Sequence, residues 1–438
     1  MSPVDLAQRD GGFAAAVITP LVERHVGDAA FYWTQHDRSV HSPLVDLAEL
    51  RRFDRLLDAH LDGAQVAGET GWQLALAALA RWRGSGEAFV CTVLALGARE
   101  PGVRLAATWA IVEQAPERML RGLIGGLLWV EPHLAAPWVA HWTLPHTPVA
   151  LQIAAWRALA RAPQTLRGDN RLLDEQLASL LAHPDARLRA TACRAAYAFG
   201  QVSALHTLLA DADTAVAAEA AIGLSRAGMS EGAGYLWRSV QRLAQALAHL
   251  GGAERGRAEH RLARWVRHLA LMAPLGHPDI APLIDAMPVR LGLLFILHHG
   301  DGALLPWVRD HLDDAEAARL AGWVWSALAG RDLVAEGLTQ PSQPHAAARE
   351  RLTDRLDPGL PLPDAAAVRA QHLDLPQGVA GLLGETVTPT RLPGNLHNAP
   401  QALRWIAARR IEASGGPPFD TRAHARLQYA ALDAWLER

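Results

Sequence analysis

A phrase of twenty residues occurs twice near the middle of the chain, as Leu181–Gly200 and again as Leu209–Gly228, an offset of 28 residues. Each copy opens on a polar turn (His183-Pro-Asp185, Asp211-Ala-Asp213) and enters a helix through an aliphatic residue (Leu188, Val216). It then runs through alanines and other small residues and stops at a glycine. A unit of this length cannot bury its own apolar face, so neighbouring copies have to stack, and the small residues let their helices approach closely.

This grammar predicts an all-α fold, a HEAT-like α-solenoid. Weaker copies begin at Glu100, Pro148 and Asp313, and six or seven helical hairpins are expected between Glu87 and Gly330. A loop is expected over Leu250–Ala258, around Gly251, Gly252 and Gly256. Hydrophobic residues make up 50% of the chain and aromatics only 6%, which suits close helix packing better than sheet. The organisation read from the sequence is an N-terminal helical cap (1–85), a repeat array (86–338), a Pro-rich strap or linker (339–376) and a C-terminal helical appendage (377–438). The appendage, with helices over Ala399–Ala413 and Asp420–Leu436, is expected to fold back over the end of the array.

The cap has its own signals. Ser42-Pro43 reads as the N-cap and first residue of a helix whose apolar face is Leu47, Leu50, Phe53, Leu57 and Leu61, ending near Gly63. A glycine-rich turn, Gly63 to Gly71, then launches a second helix from Trp72. Gly68 is expected at positive φ and Trp72 in the core. Within this block His60, Asp62, Gly63, Gly68, Glu69, Gly71 and Trp72 are read as one structural motif.

No lysine occurs, so all 42 fixed cations are arginines; against 45 acidic residues the net charge is −3. Wholesale use of arginine in a chain rich in Ala, Gly and Pro is read as coding bias, and the near-neutral balance argues against a nucleic-acid partner. Cys91 and Cys193, without a CxxC or a histidine at ligand spacing, read as small buried residues in a reducing compartment. No secretory signal is apparent at the N-terminus, and the longest apolar stretches are too short for a bilayer, so a soluble cytoplasmic protein without membrane insertion is expected.

Candidate chemistry is sparse. His60, His183, His277, His298 and His299 fall outside any metal-ligand spacing. His183 and His277 sit before Pro-Asp in turns, and the His298-His299 pair closes a helix, where an imidazolium suits the dipole. Asp313-Asp314 read as caps. Arg319, five residues after Asp314, and Arg189, four after Asp185, read as the basic members of a turn-to-helix ion-pair ladder between repeats, with Ala217 breaking the series. No nucleophile elbow, phosphate loop or dinucleotide fingerprint is present, so neither catalytic residues nor a cofactor or metal are expected. Fifteen tryptophans outnumber seven phenylalanines. Trp109, Trp156 and Trp323 read as inter-hairpin core, and Trp323 and Trp325 are also candidate partner contacts.

The segment His60-Leu-Asp-Gly-Ala-Gln-Val-Ala-Gly-Glu-Thr-Gly-Trp72 resembles the signature of an uncharacterised proteobacterial HEAT-repeat family often encoded beside type VI secretion genes. Ala318–Gly330, Leu360-Pro-Leu-Pro-Asp364, Arg409-Arg-Ile-Glu412 and Pro418-Phe-Asp420 are similar to its later blocks in the same order. Val368–Asp374 departs from the aromatic-rich stretch of that family. The resemblance implies an immunity, adaptor or accessory role with a protein partner, such as a secretion effector or a spike-associated protein, and brings no catalytic residues. The expected function is therefore a non-enzymatic scaffold. The alternative is a HEAT-fold enzyme resembling a bilin lyase or a DNA glycosylase, the latter predicting a basic stripe with an aromatic and an acidic residue at its centre.

Overall fold

The computed structural model describes residues 17–167, 172–341, 352–373 and 378–436. Their regular elements are helices, apart from one two-stranded antiparallel hairpin, Gly381–Leu382 with Glu385–Thr386, and two isolated bridges. The chain divides into two compact units. One lies within Met1–Asp37 and Arg52–Trp142, the other within Arg38–Arg51 and Thr143–Arg438.

In the second unit the repeated phrase becomes the helices Ala186–Ala198 and Thr214–Arg226, which pack directly on each other. Their boundaries follow from the sequence. Asp185 and Asp213 are the N-caps; Asp185 accepts from the Arg187 N–H at 2.8 Å and Asp213 from the Ala215 N–H at 2.8 Å. Gly200 (φ 74°) and Gly228 (φ 82°) close the helices in the left-handed region, with Gln201 N–H donating to the Ala196 carbonyl and Met229 N–H to that of Leu224. Only ten residues separate Gly200 from Asp211, and they form two short 3-10 turns, Val202–Leu205 and Thr207–Ala210, in place of a full first helix. Leu205 is buried there because Gly223 leaves it room: a Cβ on Gly223 would stand 2.5 Å from the Leu205 methyl.

The stack begins with Val149–Arg161 against Ala186–Ala198. It continues through Ser230–Leu247 and Gly252–Met272 to Val289–His299 and Ala318–Ala329. The expected loop at Leu250–Ala258 is much shorter: the helix starts at Gly252, whose φ of 50° makes the turn, and Gly256 is exposed helix.

The C-terminal segment does more than cover the last repeat. Helix Gln401–Ala413 reaches the final turns of several stacked helices. Glu412 meets Tyr197 and Arg226, and Trp405 lies against His268 and His298. Asp420 beyond it pairs with Arg161 at 2.8 Å. Its own first N–H groups are taken by Arg38–Arg51: Gln401 donates to the Val45 carbonyl at 2.7 Å and Ala402 to that of Ser42 at 3.0 Å. That pairing holds Ser42-Pro43 outside any helix. The N-cap expected at Ser42 is instead Asp46, which accepts from Glu49 N–H at 2.8 Å as helix Leu47–Val66 begins.

The expected strap at 339–376 is described only at 339–341 and 352–373, with Pro344 and Pro376 outside the described residues. The described part contains two short helices, Leu352–Leu356 and Ala365–Arg369, and is tied down by Arg290, which grips Asp357 through two bonds of 2.6 and 2.8 Å. The hairpin then seals the end of Ala318–Ala329: Leu383 and Gly384 N–H groups donate to the Ala327 and Leu328 carbonyls. Gly330 and Gly384 are required at this contact, since a Cβ on Gly330 would lie 2.3 Å from the Leu383 carbonyl oxygen.

In the first unit the helices Ser85–Leu96 and Pro116–Trp129 make the closest pair. Gly122 and Gly126, one turn apart, face the partner backbone and side chains; a Cβ on Gly122 would stand 1.8 Å from the Ser85 carbonyl oxygen. Around them Trp33 stacks on Phe89 at 4.9 Å and Trp129 meets Phe89 edge-on. No helix among the described residues is long and apolar enough to cross a membrane.

A candidate arginine cluster

The residues singled out near Gly63 form a helix joint. Helix Leu47–Val66 runs straight through Gly63, and Gly68 at φ 57° is the single left-handed residue from which Gly68–Trp82 departs. The nine-residue turn expected there, with a helix launched from Trp72, is thus corrected. Gly63 and Gly71 serve close approach: a Cβ on Gly71 would meet the Ala64 carbonyl oxygen at 1.9 Å, and one on Gly63 the His25 ring at 2.8 Å. Trp72 is buried under the Arg104 guanidinium, which also pairs with Glu69 at 3.0 Å. His60 meets His25 at 2.9 Å and Asp28 at 3.7 Å, while Asp62 is exposed. Nearby, His36 and Asp54 form a buried pair at 2.6 Å that the sequence reading did not single out.

Arg189 does link repeats, though forward and not to Asp185. Its guanidinium forks onto Asp211 of the next copy at 2.7 and 2.9 Å and donates to the His183 carbonyl, while Asp185 pairs with Arg187. Arg319 likewise pairs with Asp354 at 2.6 Å, not with Asp314, which caps its helix by accepting from Glu316 and Ala317. Trp325 is fully buried and offers no surface to a partner; Trp323 is half-buried, packed on the core. The ladder between repeats thus stands at Arg189 with a different acidic partner, while the Asp314 partner of Arg319 and the exposure of Trp325 are corrected: both depend on which element lies across, and spacing within a helix does not encode that.

The polar groups that do converge lie in the second unit. Glu219 is buried and held from both sides. Arg194 donates to it at 2.6 and 2.9 Å, and Arg264 at 2.8 and 3.0 Å. Burial works to raise the Glu219 pKa, but attraction to the two guanidiniums outweighs it and keeps the carboxyl well below its usual range. Glu412 is bound by Tyr197 at 2.7 Å, by Arg226 at 2.5 Å and by Arg409, and its pKa is likewise lowered on balance. Arg226 also lies over the Tyr197 ring, 4.0 Å from its centre.

Two further guanidiniums belong to this group. Arg157 feels the charges of Arg194, Glu219 and Arg264, and Arg267 feels that of Arg264; burial is the main force that pushes each down to about 10. Both remain protonated at neutral pH. Six arginines (157, 194, 226, 264, 267, 409) thus act electrostatically on one another or on Glu219 and Glu412, and Asp420 acts on Arg409 as a third carboxylate. Arg194 and Arg264 keep about a third of their side-chain surface accessible, 35% and 37%, so water reaches the two guanidiniums that hold Glu219.

Beside it His41, His268 and His298 surround Trp405 edge-on at 5.4–5.6 Å. Burial, then nearby arginines, hold all three below the ordinary histidine value, His298 down to about 3. The imidazolium expected at His298-His299 is therefore replaced by neutral rings. The cation that this helix end favours comes from Arg410, which donates to the His298 and His299 carbonyls at 3.0 and 2.7 Å.

Elsewhere a cleft of about 440 Å³ is lined by Leu383, Arg391, Asn395 and Asn398. A void of about 10 Å³ beside Gly381 and Gly384 has room for about one water. Cys91 and Cys193 are buried thiols whose pKa burial raises. Among the described residues no three His, Cys, Asp or Glu side chains gather as metal ligands. Comparison with protein-family models, curated proteins and solved structures gave no match.

Proposed function

We propose that the chain is a non-enzymatic binding protein, an α-solenoid that holds a protein partner. One observation carries this reading: the main polar constellation of the second unit is built of guanidiniums, and both of its carboxylates are already saturated by them. Arginine donates hydrogen bonds and positive charge but does not exchange a proton near neutral pH, so such a group recognises anionic or planar partners and does not perform acid–base turnover. The resemblance to a family found beside type VI secretion genes makes a secretion effector or spike-associated protein the first partner to test. Calorimetry of the purified protein against the proteins encoded at its own locus, with and without chelator, should give metal-independent binding. That binding should weaken at least tenfold in Arg264→Glu. No binding to any of them would contradict the reading.

The second reading, a HEAT-fold DNA glycosylase, is favoured by one feature: the local excess of arginine around a single buried carboxylate, which a whole-chain charge of −3 conceals. Excision of a base from duplex DNA, lost in Glu219→Gln, would establish it in place of the first.

A further inference from the structure

The cleft of about 440 Å³ lies within the second unit and has two fixed walls. One is the hairpin turn. Leu383 stands in the left-handed region at φ 55°, and the N–H groups of Leu383 and Gly384 are tied to the Ala327 and Leu328 carbonyls. The other wall is helix Leu392–Asn398 with Arg391 just before it. Arg391, Gly394, Asn395 and Asn398 follow the i, i+3, i+4, i+7 spacing of a single helix face, and all four line the cleft. Glu385 of the hairpin and Arg391 form an ion pair at 2.8 Å that joins the walls, with more than half of each side chain exposed. Along the rest of the face polar groups are unused. The Asn395 amide has no side-chain partner among the described residues, and Asn398 uses only its Oδ1, on His397 at 2.8 Å. Gly394 keeps the space beside them open, with nothing within 4 Å of a Cβ placed there.

We propose that this cleft binds the C-terminal end of an extended peptide, with Asn395 and Asn398 paired to its peptide groups and Arg391 to its terminal carboxylate. An amide side chain offers a donor and an acceptor together, the same pair that a peptide group presents. Neighbours on a helix face stand about 5–6 Å apart, close to the roughly 6.6 Å at which an extended chain repeats groups on one side. A terminal carboxylate lies in line with those peptide groups, as Arg391 lies in line with the two asparagines. The Glu385 pair is too exposed to hold Arg391 tightly, so a peptide carboxylate can take it over at little cost. No aromatic ring lines the cleft to stack on a base or a sugar, and Arg391 and Glu385 balance to no net charge, which disfavours a polyanion. Because both walls are tied down beforehand, little ordering is needed on binding. This goes beyond the protein-partner reading, since a free peptide suffices as ligand and none of these residues belongs to the arginine cluster.

The test is ligand-observed saturation-transfer NMR on the purified full-length protein, with penta-alanine as probe beside its C-terminally amidated form and maltotriose. Penta-alanine should bind at least about fivefold more tightly than the amidated form, the loss of one charge-assisted hydrogen bond, and maltotriose should not bind. Gly394→Leu should abolish binding by filling the space, while melting no lower than wild type, because its new side chain meets open space and replaces a glycine within a helix. Asn395→Ala, which removes a side chain without a partner in the chain, should weaken binding about fivefold and leave the melting temperature unchanged. Arg391→Gln should bring penta-alanine down to the level of its amide. No binding of penta-alanine, equal binding of its amide, or binding that survives in Gly394→Leu and Asn395→Ala overturns the proposal. So does maltotriose that displaces the peptide, which would assign the cleft to a sugar. Arg264→Glu should leave peptide binding unchanged, so failure here and failure of the protein-partner reading are told apart.

Discussion

The first unit and the second pack helices by different means. In the first, Gly122 and Gly126 let two backbones nearly touch, and stacked aromatic rings fill the space around them. In the second, alanine-rich helices stack on one another, and charged groups join their ends to a C-terminal helix, Arg226 reaching Glu412 and Arg410 reaching the His298 carbonyl. Close apolar packing yields one rigid arrangement and little else. A lining of charged groups with unequal signs costs stability and creates an affinity. The difference is one of means: the first unit is filled by glycine contacts and rings, and the second carries the charged cluster on which the proposed binding role rests.

The largest effect that would break this contrast is expected in the first unit. Gly122→Ala should destabilise by about 3 kcal/mol, because the new methyl meets a backbone oxygen that cannot turn aside. An unchanged urea midpoint would show that the two helices are not so close. In the second unit, Glu219→Gln leaves Arg194 and Arg264 unneutralised. It should cost about 2 kcal/mol, less than a fully dry pair because water reaches both arginines. Equal stability of variant and wild type would mean that the cluster is compensated from elsewhere.

Acid should also discriminate. His298 is held near 3 in the folded protein, and His41 and His268 are lowered as well, so the unfolded chain binds more protons than the folded one below about pH 6.5. Stability contributed by these neutral rings is present above the unfolded value and is lost as pH falls toward the folded one, at roughly 1.4 kcal/mol per pH unit for each ring. Urea unfolding between about pH 7 and pH 4 measures the slope; a flat profile down to pH 4 would contradict their burial.

Gly68→Val places a branched residue at φ 57° and should cost about 1.5 kcal/mol, read as a lower melting temperature. The smallest effect is a gain. Gly27 lies within helix Thr19–Arg38 with nothing within 4 Å of a new Cβ, so Gly27→Ala should stabilise by about 0.5 kcal/mol. A loss there would mean that this helix carries packing the structure does not contain.

What the sequence revealed follows the range of the interactions. The repeated helices were legible because caps, small residues and glycine stops act within one turn of where they are written. Leu47, Leu50, Leu57 and Leu61 were legible as a buried face through their spacing alone. Gly63 was misread as a helix end because a glycine that ends a helix and one that admits a neighbour look alike in a single chain. The arginine cluster was hidden for a stronger reason. Its members come from separate helices between Arg157 and Glu412, and among 42 arginines these six carry no local mark. Whole-chain charge averaged them away, and the reading of arginine as coding bias missed that several have specific partners.

Hydrogen–deuterium exchange of the full-length protein with and without a protein encoded at its own locus tests most directly the proposal that partner binding resides in the second unit. The account predicts slower exchange in the last turns of Val149–Arg161, Ala186–Ala198, Thr214–Arg226 and Gly252–Met272 and across Gln401–Ala413. Ser85–Leu96 and Pro116–Trp129 should be unchanged. Protection confined to the first unit, or none anywhere, would contradict it.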